Sequence, residues 1–269
     1  MACKILLTIQ TNIKNIKKTV YTIANHSKSD KKLQFYKLFK GKNMSQIFSM
    51  LTLQQQLNDA TNGTNWEDGI TKQGKPIDWR RCIYLECAEL VESYPWKHWK
   101  NIDAAADTEN IKIEVVDIWH FVMSEVLRLN ANSHKLSMEE LADKISSLPN
   151  FNILQEPASD ISDRYFDQIA TIEKFIKSVF MDESLEEMAN LYFDVVFQSG
   201  LNLDSLYQLY IGKNILNQFR QDHGYKDGSY IKVWNGQEDN VVMQSLLAAN
   251  SSISPSELYE ALKAEYPKQ

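Results

Sequence analysis

Between Ser45 and Asp59, Ile47, Met50, Leu51, Leu53 and Leu57 recur at helical spacings, which predicts an amphipathic helix with Ser45 as its N-cap. Residues 61–77 lose that periodicity: Gly63, Gly69, Gly74 and Pro76 predict a long loop. Loops of this length inside a folded unit are often functional. Asp78 then caps a second helix running to about Ser93; Pro95 ends it, and a Trp96-Lys97-His98-Trp99 segment follows. A third helix, from about Thr108 to Asn130, is dense in Ile, Val, Trp and Phe but too interrupted by acids and His120 to span a bilayer. Residues 131–160 read as a variable loop with one short helix near 137–147. Helical patterns resume at 161–181, 184–199 and 203–222, and after a turn-rich stretch at 224–230 two short helices follow near 238–249 and 255–265. No strand set or internal repeat emerges, so the expected fold is all-α, a helical bundle core with additional helices.

Charge changes this picture at one end. Residues 1–43 hold ten lysines and one aspartate and lack a sustained amphipathic pattern, leaving 19 basic and 34 acidic residues for the rest. The expected organisation is a basic N-terminal extension over 1–43, either dispensable or a basic interaction arm, and one catalytic domain over 44–269. The acidic domain argues against stable nucleic-acid binding and suits an enzyme that keeps carboxylates for metal ions. With three cysteines, Cys3, Cys82 and Cys87, no disulfide framework is expected. No apolar run has the length of a membrane span or of a signal-peptide core, so a cytoplasmic protein without a membrane partner is expected.

The candidate chemistry is carboxylate chemistry. Glu86 and Glu89 lie three apart on the second helix, and Glu114 and Asp117 repeat that spacing on the third, so each pair shares a helix face. Acidic pairs are common on exposed helices. Here Ile83, Leu85, Ala88, Leu90 and Val91 surround one pair and Ile113, Val115, Val116, Ile118 and Phe121 the other, which places both helices in an interior. An unpaired carboxylate there costs roughly several kcal/mol. Within the two stretches the only nearby base is Lys112, so cations must come from elsewhere. An oxygen-only ligand set favours Mg²⁺ or Mn²⁺, and such a site suits phosphoryl or pyrophosphoryl transfer. Asp117-Ile-Trp-His120 also imitates half of a di-iron or di-manganese carboxylate site, but the second acid-x-x-His pair is missing, since Glu89 is followed three residues later by Glu92.

These paired acids resemble the all-α NTP pyrophosphatase superfamily. Gln54-Gln55-Gln56-Leu57-Asn58, Trp79-Arg80-Arg81, Trp96-Lys97-His98-Trp99-Lys100, and Ile211-Gly-Lys213-Asn-Ile-Leu-Asn217-Gln-Phe-Arg220 followed by Gly224-Tyr225-Lys226-Asp227-Gly228 narrow the resemblance to the dimeric dUTPases, over about residues 45–240. The resemblance implies a homodimer that hydrolyses dUTP, and dUDP, to dUMP, limiting uracil in DNA and supplying dUMP for thymidylate synthesis. It also implies that water attacks the β-phosphorus; another nucleoside triphosphate as substrate is the alternative.

Roles follow from the resemblance residue by residue. Glu86, Glu89, Glu114 and Asp117 are the expected Mg²⁺ ligands, with Glu86 also the general base. Gln55 and Asn58, on one helical face, are expected to read uracil, because amides both donate and accept. Trp96 and Trp99 are expected to pack against the base or close the pocket, and His120 to touch the deoxyribose or orient Asp117. Lys213, Asn217 and Arg220, at spacings of four and three, form an expected phosphate-binding stripe, with Tyr225 and Lys226 on a loop able to close over it.

Overall fold

In the computed structural model, residues 45–101, 104–158, 165–181, 184–250 and 252–267 are described. The expected extension at 1–43 lies outside them. Ser45 accepts a hydrogen bond from the Phe48 amide and starts α1 (Gln46–Asn62), which stops where Gly63 takes φ 104°. The loop after it holds a single 3₁₀ turn, Trp66–Asp68, and an isolated bridge between Ile70 and Pro76. Asp78 accepts from the Arg81 amide and starts α2 (Trp79–Glu92), and Asp107 accepts from the Asn110 amide to start α3 (Thr108–Leu129). Capping therefore fixes three helix starts by the same device, a side-chain oxygen meeting an amide that the helix leaves unpaired.

The remaining helices are α4 (Met138–Ser146), α5 (Tyr165–Met181), α6 (Leu185–Gln198), α7 (Leu203–Asp222), α8 (Asp239–Ala249) and α9 (Pro255–Glu265). Ser137 and Glu140 form a full capping box on α4, as do Ser254 and Glu257 on α9. The all-α expectation holds, with one small addition. Val233–Trp234 and Gln237–Glu238 pair antiparallel around Asn235 and Gly236, both at positive φ. Asn-Gly is a strong short-range hairpin signal.

α3 is the axis of the bundle: α2 packs along it most extensively, and α1, α6 and α7 also lie against it. Trp119 stacks on Tyr192 of α6 at 4.9 Å and 5°, while the Tyr192 hydroxyl donates to the Val115 carbonyl at 2.8 Å. The expectation that both acidic helices are interior holds for α3, whose residues are buried around nearly the whole circumference, including Glu114 and Glu125. It fails for α2: Tyr84 and Leu85 are 45% and 51% exposed, and Glu89 is exposed. The side of α2 carrying Ile83, Cys87 and Leu90 is buried, whereas Tyr84 and Leu85 are left uncovered within one chain.

α8 and α9 both pack on α7. A Cβ at Gly212 would meet Leu247 Cδ1 at 2.6 Å and Met243 Sδ at 2.7 Å, so glycine there lets α8 lie close over α7 beside Lys213. At the other end of α7, Tyr230, Trp234, Tyr259 and Tyr266 each pack edge to face on Phe219, fixing the segment after α7 against the helix.

Candidate active site

A cleft of about 360 Å³ opens between α1, α2, α3 and α7. Its acidic wall is Glu86 and Asp117, one from each of the pairs read in the sequence. Glu86, Glu114 and Asp117 each present a carboxylate oxygen, and these atoms lie within 4.8 Å of one another. Glu89 stands beside this trio on the exposed side of α2 and acts on it electrostatically. Burial pushes the Glu86 carboxyl up to about 8, reinforced by the facing Asp117, Glu114 and Glu89 and opposed by Lys213. Glu114 rises to about 7 through burial and the charges of Asp117 and Glu89. Three carboxylates with shared, unfavourable negative charge and an oxygen-only donor set fit a hard divalent cation such as Mg²⁺.

The two acidic stretches hold no base on their acidic face, and α7 supplies one from elsewhere in the chain. Lys213 Nζ donates to Asp117 Oδ2 at 2.7 Å and to Asn240 Oδ1 at 2.8 Å, from a position 4% exposed. One turn and more along α7, Asn217 and Arg220 continue the stripe and also line the cleft. Arg220 is clasped by Asp239, with Nε to Oδ2 and a terminal nitrogen to Oδ1, each at 2.8 Å. Tyr230 donates to the same Asp239 at 2.7 Å, and Arg220 also reaches Asn217 Oδ1 and Asn240 Oδ1 at 3.2 Å. Burial opposes the Arg220 cation, but Asp239 holds it above its ordinary pKa. Sequence reasoning missed Asp239 and Asn240. They open α8, and only the packing of α8 over α7 brings them to the stripe.

Another part of the cleft's lining is polar but uncharged. Asn58 lines it, and the glutamine beside it is Gln54, not Gln55. Gln55 is turned one helical step away, donating to Asp59 at 3.1 Å and Glu67 at 2.7 Å. Met50, Gln54 and Asn58 follow one another at intervals of four on the buried face, a spacing that separates Gln54 from its neighbour. His120 also faces the cleft, with Nδ1 2.7 Å from Gln54 Oε1. Burial, against the pull of Asp117, brings its pKa down to about 3, so the ring is neutral. Its Nε2 is buried without a hydrogen-bond partner, and the histidine stands outside the carboxylate trio.

The aromatic walls are Trp79 and Phe121, whose rings stack at 6.0 Å and 27°. Both have a sequence signal: Trp79 lies two turns before Glu86, and Phe121 one turn after Asp117. Trp96 and Trp99 pack on each other at 5.6 Å in the α2–α3 connection, and neither is among the residues lining the cleft. Trp99 is 61% exposed, leaving its ring open to solvent in the single chain. Tyr225 lies over Arg220, 5.9 Å from ring centre to guanidinium, while Lys226 reaches the Thr61 carbonyl at 3.4 Å. The loop carrying them begins at Gly224, at φ 85°, where a Cβ would meet Ser229 Oγ at 2.0 Å.

A family model described as dUTPase matches residues 46–225. The chain belongs to the dUTPase family. The matched span carries all four acids, the amide end of the cleft and the α7 stripe, whereas Asp239 and Asn240 lie beyond it. The chain is also similar to a protein of Enterobacteria phage T4 called "DNA replication protein", at 28% identity over 192 residues, 61% of this chain. The matching part spans 47% of that relative's length.

Proposed function

We propose that the protein is a Mg²⁺-dependent dUTP diphosphatase, with Mn²⁺ able to substitute, that converts dUTP and dUDP to dUMP with release of pyrophosphate or phosphate. The observation that carries this reading is one cleft lined by uncharged amides and aromatic rings, by two of three clustered carboxylates and by a cationic helix face. Glu86, Glu114 and Asp117, with Glu89 alongside, are the residues to hold the metal, which when bound supplies a lowered water pKa and neutralises phosphate charge. Glu86 takes the proton of the attacking water. Lys213, Asn217 and Arg220 bind the phosphate chain, and Tyr225 and Lys226 close over it. Trp79 and Phe121 flank the base, Asn58 reads its edge, and the unpartnered His120 Nε2 accepts from a sugar hydroxyl.

The protein acts as a homodimer in this reading. The apolar surface of Tyr84, Leu85, Phe180 and Met181, 45–79% exposed in the single chain, supports a second copy packing there. No helix among the described residues is long and apolar enough to cross a membrane. With few cysteines, Cys82 and Cys87 both free, a cytoplasmic setting fits.

A nucleotide panel assayed with Mg²⁺ and with chelator tests the proposal. dUTP should be turned over fastest, dUDP second, and chelator should abolish both. Faster turnover of another nucleoside triphosphate, or full activity in chelator, would overturn it.

A further inference from the structure

Five buried polar groups meet at the base-reading end of the cleft, and three of them, the Gln54 and Asn58 amides and the neutral His120 ring, can exchange donor for acceptor. The fourth is the Tyr210 hydroxyl, 3.1 Å from the Met50 carbonyl and 3.2 Å from Gln54 Oε1. The fifth is Ser124 of α3, which has no exposed surface. Its hydroxyl stands 2.7 Å from the His120 carbonyl four residues earlier, and a carbonyl only accepts. The single Ser124 proton is thereby committed to its own helix.

That commitment propagates. Ser124 Oγ has only lone pairs left, so the two amides that approach it at 3.0 Å must both present nitrogen, Gln54 Nε2 and Asn58 Nδ2. The second Gln54 N–H then goes to Asn58 Oδ1 at 3.2 Å, and Gln54 Oε1 turns toward His120 Nδ1 at 2.7 Å, which fixes the proton on Nδ1. Asn58 is left with one N–H and one lone pair, their order set from Ser124. A reversed Asn58 amide would exchange those two positions. Uracil and cytosine differ in the same sense: at N3 and at C4 one donates where the other accepts.

We infer that Ser124, which touches no substrate, is a positioning residue that sets the donor–acceptor order of Asn58 and thereby selects uracil over cytosine. This deepens the proposed dUTP reading and rests on it. Without the serine hydroxyl, the fixed-polarity partner of both amides is gone and the network can invert as a unit.

The test combines selectivity with a spectroscopic readout on the full chain. In Ser124→Ala the ratio of kcat/KM for dUTP over dCTP should drop about tenfold or more, whereas Ser124→Thr, whose hydroxyl repeats the bond to the carbonyl four residues back, should keep it. In ¹⁵N-labelled wild type, His120 should show the Nδ1–H tautomer, and Ser124→Ala should lose that preference. An unchanged ratio in folded Ser124→Ala, or an Nε2–H tautomer in wild type, overturns the inference. If Ser124→Ala does not fold, the wild-type tautomer decides. If wild type turns over neither dUTP nor dCTP, the proposed function falls, and the tautomer still tests the network by itself.

Discussion

Asp239, with no exposed surface, accepts two hydrogen bonds of 2.8 Å from Arg220, gripping the far side of a guanidinium that lines the cleft. A planar cation held by both oxygens of a buried carboxylate has little freedom to turn, so its remaining N–H groups point in a fixed direction. The stripe on α7 is thus set by residues beyond the part of the chain that matches the dUTPase family.

Asp239→Asn is expected to leave one amide nitrogen facing the guanidinium and to release Arg220. Breaking a buried ion pair costs about 3–5 kcal/mol, shared between a lower Tm and weaker phosphate binding. KM for dUTP should rise about tenfold or more while the Kd of deoxyuridine, which has no phosphate, stays near wild type. Calorimetric titration of both ligands checks this, and equal weakening of the two would assign Asp239 to the fold alone.

Glu86→Gln keeps the shape of the side chain and removes its basicity. We expect kcat for dUTP to fall at least about 10²-fold, with nucleotide binding retained. Near-normal kcat in this variant would remove Glu86 from the role of base.

Stability in the absence of metal should depend on pH through the carboxylate cluster. The folded values of Glu86, about 8, and Glu114, about 7, lie above the ordinary 4.5, so the folded state binds the extra protons. The sign follows: the metal-free protein is not penalised below the ordinary value and loses stability as pH rises through about 7 and 8. Added Mg²⁺ should therefore raise Tm more at about pH 9 than at about pH 6. Thermal scans in chelator and in Mg²⁺ measure this, and a Mg²⁺ effect that shrinks with rising pH would contradict it.

If water attacks the β-phosphorus, as the family resemblance implies, ¹⁸O from labelled water enters pyrophosphate when dUTP is the substrate and phosphate when dUDP is. Mass analysis of both products decides between the two phosphorus atoms. Label in dUMP would place attack at the α-phosphorus and displace the proposed position of Glu86 and its water.

The sequence by itself determined the helices, because caps and apolar periodicity are local: Ser45, Asp78 and Ser137 each sit where a side-chain oxygen meets an unpaired amide. It also determined the acidic pairs and the Lys213–Asn217–Arg220 stripe, since spacings of three and four place residues on one helix face. What it left open were relations between helices. Choosing Gln54 over Gln55 depends on a rotation of one residue about α1, and that is decided by what α3 offers at Ser124 and His120. The partner of Arg220 depends on α8 lying over α7, where Asp239 and Asn240 arrive from nearly twenty residues further along the chain. Lys213 beside Asp117 and the bare His120 Nε2 belong to the same class. Helix formation responds to neighbours within one turn, whereas a buried polar group is satisfied by whichever distant segment packing delivers, and no local spacing encodes that.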